Sequence, residues 1–341
     1  MDTVKFGIVG CGMVANFHAQ AIGKIDGAKL ICATDSFAPA RESFGEKHNI
    51  QTYASFDDFL DSDADIVCLC TPSGLHCEQA VAAASRGKHV VVEKPMAITV
   101  EQANRVIEAC KEHRVKLAVI SQLRFTDAVR RVKAAVDGGV LGRMVSGSVC
   151  MKYYRSPEYY SSSNWKGTWA MDGGGALMNQ GIHGIDLLRY IMGPPKSVYG
   201  IARTLARKIE VEDTACAAVE FASGAIGTIE GTTSVYPGYS RVLTFCGDKG
   251  TIILEEDIIT EWTVEGEPTP DGVGKKHEKY GSHSDPAAFS ADYHSMQLAD
   301  MVRAVREDGK PAVDQYEGYN AVELICAIYE SSRTGKQVLF G

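Results

Sequence analysis

At 341 residues the chain is long enough for two domains and a large core. Its 43 acidic against 35 basic residues give a net charge of -8, which leaves no basic face for a nucleic-acid groove or an anionic membrane. Composition is that of an ordinary soluble protein, with 45% hydrophobic residues, and no apolar run approaches the roughly 20 residues of a membrane span.

The amino-terminal run Lys5 to Val9 leads into Gly10-x-Gly12-x-x-Ala15, a helix-like segment Asn16 to Ile25, and a second apolar run, Lys29 to Thr34, ending on Asp35. Strand, glycine turn, helix, strand and terminal acid within about 35 residues form the dinucleotide-binding fingerprint. Gly10 allows the tight turn, Gly12 the approach of a pyrophosphate, and Ala15 close packing of helix on sheet. Phe6 to Ala15 has no basic leader and is read as this fingerprint, not as a signal peptide. Asp35 can accept both ribose hydroxyls of NAD and repels the extra phosphate of NADP. Ser36 and Phe37 follow it, and the nearest cation, Arg41, is assigned to a solvated helix face. NAD is therefore the expected cofactor. The ten cysteines, with no C-x-x-C pair, read as buried, reduced thiols of a cytoplasmic protein, and no metal is expected.

Pro39 to His48 reads as a helix, and Asp65 to Cys70 as a parallel strand covered on both faces. The loop Thr71-Pro72-Ser73-Gly74-Leu75-His76 follows, at the strand end where doubly wound sheets bind ligands. Thr71 and Ser73 either contact the cofactor or cap the next helix. The strand His89 to Val92 ends in Glu93-Lys94-Pro95. That pair is either a surface ion pair or a crevice lysine, which beside a nicotinamide could move protons. Thr99 caps the helix Val100 to His113. The strand Lys116 to Ile120 ends at Ser121-Gln122-Leu123-Arg124, where the first domain closes.

Beyond it Thr126 to Asp137 is an amphipathic helix and Met144 to Tyr154 an alternating strand. The stretch from Tyr153 to Trp169 is rich in tyrosine and tryptophan, and rings with polar edges suit sugars or bases. A small local core or a subunit contact explains the same composition. On the helix Asn179 to Met192, Asn179 and His183 lie four apart and share a face. His183 is either a general base or a satisfied core histidine. Alternating strands then run from Val198 to Arg207, Thr214 to Phe221, Ala225 to Tyr236, Arg241 to Phe245, Thr251 to Glu255 and Ile258 to Val264. Gly266 to Ser284 reads as a surface loop, and Ala291 to Arg306 and Gly318 to Arg333 as helices. A large, mostly antiparallel sheet leaves one face to be covered by another subunit, so a homodimer or homotetramer is expected.

Taken together, Gly10-Cys11-Gly12, Thr71-Pro72-Ser73-x-x-His76, Glu93-Lys94-Pro95 and Gly173-Gly174-Gly175 with His183 resemble the glucose–fructose oxidoreductase / inositol dehydrogenase (Gfo/Idh/MocA) family. The resemblance implies an α/β fold, an NAD-binding Rossmann domain over 1–122 and a substrate-binding, oligomerising α+β domain over 123–341 with a large open sheet. It implies NAD(P)-dependent oxidation of a sugar or polyol hydroxyl, with Lys94 and His183 matching the family's catalytic lysine and histidine. Asn179 stands where the family often has aspartate, which moves weight from an Asp–His relay toward Lys94. The segments Asn164 to Trp169 and Leu177 to His183 look most like nucleotide-sugar 3-dehydrogenases acting on UDP-N-acetylglucosamine or its uronic acid.

The expected cofactor contacts are Gly10, Cys11, Gly12, Met13, Val14, Asp35, Ser36, Thr71, Pro72, Ser73, His76, Glu93, Lys94 and Gln122. Substrate contacts are expected from Lys94, Arg124, Tyr153, Trp165, Trp169, Asn179 and His183. The rival readings are a dehydrogenase of free sugars, glycosides or inositol, a glycosidase using transient NAD redox, and a non-catalytic NAD sensor.

Overall fold

The computed structural model describes residues 3–274 and 291–341. The chain separates into two compact units. One runs to Gln122 and takes in the later chain as far as Val322, and the other begins at Leu123 and includes Glu323–Gly341.

In the first unit six strands, β1 (Val4–Val9), β2 (Ala28–Thr34), β3 (Gln51–Tyr53), β4 (Ile66–Leu69), β5 (His89–Val92) and β6 (Leu117–Val119), form one sheet in the order β3-β2-β1-β4-β5-β6. Every pairing is parallel. This is the doubly wound order, with the topological switch between β1 and β4. The strands read as continuous apolar runs because both faces are buried: Phe6, Ile8, Ile66 and Val91 are fully enclosed. Helices α1 (Met13–Ile22), α2 (Ala38–His48), α3 (Phe56–Leu60), α4 (His76–Ser85) and α5 (Val100–Glu112) connect them. The helix Ala291–Arg306 belongs here as well, although the sequence reading put all of 123–341 in the second domain. Its Leu298, Met301 and Val302 share a core with Phe6, Ile8 and Ile22. Gln297 closes the end of β6 by accepting the Ser121 N–H at 3.0 Å and donating to the Val119 carbonyl at 2.7 Å. No local pattern in the sequence reveals that partnership.

The second unit holds α6 (Asp127–Asp137), α7 (Pro157–Ser161), α8 (Ile182–Met192) and eight strands: β7 (Met144–Lys152), β8 (Pro195–Arg203), β9 (Thr214–Phe221), β10 (Ile226–Thr232), β11 (Val242–Gly247), β12 (Gly250–Glu255), β13 (Ile258–Val264) and β14 (Val338–Leu339). The order is β13-β12-β11-β7-β10-β9-β8-β14, antiparallel except for the parallel β7–β10 pair near its centre. One face packs on α8, where Gly147 and Gly184 lie against Met192 and Met151. The other presents Tyr199, Ile201 and Ile226, which are 46%, 45% and 64% exposed, alongside small residues such as Ser148 and Ala218. The helix Ala291–Arg306 is α9, and α10 (Gln315–Thr334) carries the chain from the first unit into the second.

Several expected elements change their bounds: α1 runs Met13–Ile22 where Asn16 to Ile25 was expected, β10 stops at Thr232 short of Tyr236, and two further changes have a visible cause. The strand expected to reach Arg207 stops at Arg203, because the Asp213 carboxylate accepts the N–H groups of Leu205, Ala206 and Arg207 and folds them into a turn. The helix expected from Asn179 instead begins as a π-helical turn, Ala176–Gly181, before α8. Only the part of the Gly266 to Ser284 loop up to residue 274 can be assessed, since the rest lies outside the described residues. No disulfide joins the cysteines, and Cys216 is exposed on the outer face of β9, against the expectation of buried thiols.

Candidate active site

The first unit brings its loops to the carboxyl edge of the parallel sheet. Gly10 turns out of β1 at φ +88, and a Cβ there would sit 2.9 Å from the Cys70 carbonyl. Gly12 is the N-cap of α1, and a Cβ on it would meet nothing within 4 Å. No side chain caps α1, whereas Thr99 and Thr126 cap α5 and α6 with their hydroxyls. The N–H groups of the first turn, from Met13 and Val14 onward, and the positive end of the helix dipole thus face an unobstructed approach suited to a pyrophosphate. Asp35 closes the turn: Oδ2 accepts the Cys11 N–H at 2.7 Å and Oδ1 the Phe37 N–H at 2.8 Å. Cys11 therefore spends its N–H on Asp35, and burial pushes its thiol up to about 12. Both Asp35 oxygens retain lone pairs for ribose hydroxyls. Arg41 is not on a solvated face as expected. Its side chain is 14% exposed, and Nη1 donates to the Asp35 carbonyl at 3.0 Å.

Thr71 caps no helix; its hydroxyl donates to Gln79 Oε1 at 2.6 Å, leaving Pro72 and Ser73 to lead the loop into α4. His76, expected at the cofactor, is buried with Nδ1 2.7 Å from the Pro95 carbonyl and Nε2 2.9 Å from the Thr71 carbonyl. As a neutral ring it carries a single N–H, which the shorter contact assigns to the Pro95 carbonyl, so it braces the backbone after β5, a correction to its expected role. Glu93 is corrected likewise. Its carboxylate points into the unit, where Oε1 lies 2.9 Å from His18 Nε2 and 3.7 Å from His294 Nε2. Lys94 is half-buried at the end of β5, and Gln122 after β6 buries an Oε1 that has no partner among the described residues. The glycine turn, the uncapped helix and this orphaned acceptor fit a bound dinucleotide. Ser36 lies exposed beside Asp35.

Burial works to raise the Glu93 pKa, but the bonds from His18 and His294 outweigh it and hold the carboxyl well below the usual range. Burial pushes His18 and His76 down, despite their hydrogen-bonding partners. Above the ordinary histidine pKa both are neutral folded or unfolded. Below it the unfolded chain gains protons that the native chain refuses, so stability falls with pH, by up to about 1.4 kcal/mol per pH unit for each histidine. The melting temperature should therefore drop steadily on going from pH 7 to pH 5, which differential scanning fluorimetry would detect. A flat profile over that window would contradict the burial of these rings as neutral species.

In the second unit the buried Glu212 carboxylate organises the segment carrying Asn179 and His183. It accepts the Gly175 N–H at 2.9 Å, the Leu177 N–H at 2.8 Å and the Tyr329 hydroxyl at 2.8 Å, capping the π-helical turn. Burial raises its pKa, with these donors opposing. The Gln180 N–H reaches back five residues to the Gly175 carbonyl at 3.2 Å, so Asn179 sits on the wide turn and His183 on the first turn of α8. The Asn179 amide donates to Asp172 Oδ1, and Asp172 Oδ2 accepts the Gly167 N–H at 2.7 Å. Asp172, which the sequence reading missed, thus anchors the Asn179 amide to the Gly167 turn. Asn179 Oδ1 accepts from Gln180 Nε2 at 2.7 Å, and Gln180 Oε1 from Arg155 Nε at 3.0 Å. Lys166 Nζ lies 4.2 Å over the Tyr159 ring, which also faces Arg155, while Arg207 Nε donates to the Arg155 carbonyl at 2.9 Å. Of these cations Arg155 bonds the turn directly, through Gln180, while Lys166 and Arg207 pack on Tyr159 and on the Arg155 carbonyl.

Of the expected substrate residues, Trp165 is half-buried under Lys166, and Trp169 is 45% exposed with its ring edge-on to Tyr329 at 5.4 Å. Tyr153 and Arg124 depart from expectation. Tyr153 is buried and bonded with Arg241, and burial lifts its pKa to about 12. Arg124 is buried in a two-point pair with Asp186, Nε–Oδ2 2.9 Å and Nη2–Oδ1 2.5 Å, under the Tyr190 ring at 4.3 Å. Both are framework residues in this structure, since burial and internal partners take up their polar groups.

The first unit's fold and its cofactor loops define a dinucleotide-binding oxidoreductase. Residues 4–121 match the oxidoreductase family with an NAD-binding Rossmann fold, and residues 129–253 match the GFO/IDH/MocA C-terminal domain. The chain belongs to the Gfo/Idh/MocA family and is an NAD-binding oxidoreductase. It is 35% identical to the WlbA dehydrogenase of Bordetella pertussis, solved with NADH and UDP-GlcNAcA, across 99% of both chains with a TM-score of 0.89. It is also 26% identical to the myo-inositol 2-dehydrogenase of Thermotoga maritima across 98% of both chains. To the scyllo-inositol 2-dehydrogenase (NAD(+)) of Bacillus subtilis it is 25% identical, across 98% of this chain and 96% of that one. Among the described residues no helix is long and apolar enough to cross a membrane.

Proposed function

We propose that the protein oxidises a secondary hydroxyl, the 3-hydroxyl, of a UDP-N-acetylglucosamine-type sugar bearing a carboxylate. The observation that carries the reaction class is Lys94, half-buried at the carboxyl end of β5 among the loops that hold the cofactor. Bound NAD supplies the hydride acceptor. As the carbinol C–H bond breaks, Lys94 takes the hydroxyl proton and the carbon becomes a ketone. Asn179 and His183 bind and orient the sugar, and Trp165 and Trp169 offer ring faces to it. Two observations support an anionic nucleotide sugar over a neutral glycoside or inositol. Lys166 lies half-buried beside the half-buried Trp165 and over Tyr159, whose hydroxyl accepts from Gln180 next to Asn179, and the WlbA dehydrogenase was solved with UDP-GlcNAcA. The ten cysteines, none in a disulfide, suit a reducing cytoplasm.

The test is to follow NADH at 340 nm while incubating the protein and NAD with UDP-GlcNAcA, UDP-GlcNAc, free glycosides and inositols. NADH formation with UDP-GlcNAcA far above the others is expected, and equal or greater rates with an inositol or a free glycoside would overturn the substrate assignment. Glycoside cleavage without net NADH would instead mark a glycosidase, and silence with every sugar a sensor.

We further propose that the outer face of the second sheet joins copies of the chain into a homodimer or homotetramer. Support comes from Tyr199, Ile201 and Ile226 exposed on one face, where Glu220 and Glu230 also stand and are paired with Lys196 and Lys152. Light scattering should give a multiple of the 36.8 kDa chain mass at micromolar protein, and the pair Ile201→Glu with Ile226→Glu should shift it to the monomer. A wild-type monomer peak would refute the assembly.

A further inference from the structure

Three buried histidines converge on the segment that carries Lys94, and none of them belongs to the reaction as described. His18 comes from the inner side of α1 and His294 from α9. Both direct Nε2 at Glu93 Oε1, at 2.9 Å and 3.7 Å, and the two rings meet edge to face with centroids 5.5 Å apart. The other carboxylate oxygen, Oε2, accepts the Lys94 N–H at 3.2 Å. On the far side His76 Nδ1 holds the Pro95 carbonyl at 2.7 Å. The backbone on either side of Lys94 is thus fixed by hydrogen bonds that close entirely within the buried interior of the first unit.

The three ligand-type atoms of His18, Glu93 and His294 lie within 4.8 Å of one another, which is also the spacing of a cation site. The second ring nitrogens argue for hydrogen bonding. Metal-bound imidazoles pass their other N–H to a carboxylate, carbonyl or water. Here His18 Nδ1 and His294 Nδ1 are both buried with no partner among the described residues. An Nε2–H tautomer at each ring places both protons on Glu93 and leaves only bare lone pairs inside, so no donor is orphaned.

We propose that His18 and His294 are positioning residues for Lys94: by fixing the Glu93 carboxylate they keep it on the Lys94 N–H and set the reach of the lysine side chain. The inference rests on Lys94 acting as the base. Removing the His18 donor leaves a buried carboxylate without its strongest partner, and such a group rotates toward other donors or takes up a proton. Either response loosens the Lys94 backbone, and a small misplacement of a catalytic group is expensive in rate. Because His18 lies on the helix that begins at the cofactor's pyrophosphate turn, the same element would seat the dinucleotide and brace the base.

The experiment compares full-length wild type, His18→Leu, His18→Gln, His294→Leu and Lys94→Ala. Glutamine can return an N–H donor close to the position of Nε2. Three quantities are measured per folded molecule: NADH formation with UDP-GlcNAcA, NADH affinity by fluorescence, and the initial rate of reductive methylation at Lys94 by peptide mass spectrometry. The expected result for His18→Leu is a fall in kcat of about tenfold, an NADH affinity within about threefold of wild type, and a methylation rate altered by about fivefold. His18→Gln should return each toward wild type, and His294→Leu should move them in the same direction by less, given its longer contact. Methylation and kcat both within about twofold of wild type in His18→Leu would overturn the inference. So would a His18→Gln variant as impaired as the leucine variant. Should His18→Leu not fold, His294→Leu decides on the same criteria. Undiminished turnover in Lys94→Ala refutes the base assignment instead, and the methylation rates still report whether His18 sets the lysine.

Discussion

Replacing Lys94 by alanine should lower kcat by about a hundredfold or more while NADH binding stays within about threefold. The proton leaving the sugar hydroxyl needs an acceptor as the hydride departs, and a positioned general base typically supplies a factor of 10²–10⁴. Gly10–Gly12 and Asp35, the residues expected to meet the pyrophosphate and the ribose, follow β1 and β2, in loops other than the one after β5 that carries Lys94. The variant should therefore keep its affinity for the dinucleotide, which fluorescence titration would verify alongside steady-state rates. A substantial loss of NADH affinity would mean that Lys94 chiefly holds the cofactor. Undiminished turnover would shift the proton to His183, on the first turn of α8.

Breaking the Arg124–Asp186 pair should have the largest effect on stability. The two side chains are only 4% and 6% exposed and meet through two hydrogen bonds. Arg124→Leu would leave the Asp186 carboxylate buried without its partner, a change that costs about 3–5 kcal/mol. For a unit of this size the loss corresponds to a fall in melting temperature of about 10 °C, read most simply by circular dichroism. Replacing both partners by leucine removes the stranded charge, and the double variant should recover much of that loss. If Arg124→Leu melts like the wild type while its KM for the sugar rises steeply, Arg124 serves the substrate after all.

The parts of the fold that local pattern encodes were legible in the sequence. Strand, glycine turn, helix and Asp35 lie within one βαβ unit, and their order alone fixes a cofactor edge. The alternating strands of the second unit were legible for the same reason, since a half-buried sheet imposes a period of two. Side-chain partnerships across long sequence distances were not legible. Asp213 converts the expected strand end at Leu205 to Arg207 into a turn, and Glu212 widens the helix start at Ala176 into a π-turn. Both are carboxylates taking backbone donors, Asp213 from a few residues back and Glu212 from some 35 residues back, and neither leaves a periodic trace. Glu93 was visible as a motif residue, yet its orientation depends on His18 and on His294, 201 positions further along. Arg41 was misassigned because a single cation on a helix shows nothing of the carbonyl it will reach.

The return of α9 to the first unit has a consequence for anyone seeking to dissect or graft this protein. A fragment ending at Gln122 would retain the complete glycine fingerprint but expose the apolar surface that Leu298, Met301 and Val302 cover, and would lose the amide that seals β6. Such a piece should aggregate where the intact chain does not, and exchanging nucleotide modules between relatives by a single cut there would fail. A transplantable module has to carry the downstream stretch through Val322 as well, so the order of residues along the gene and the boundaries of the folding unit do not coincide.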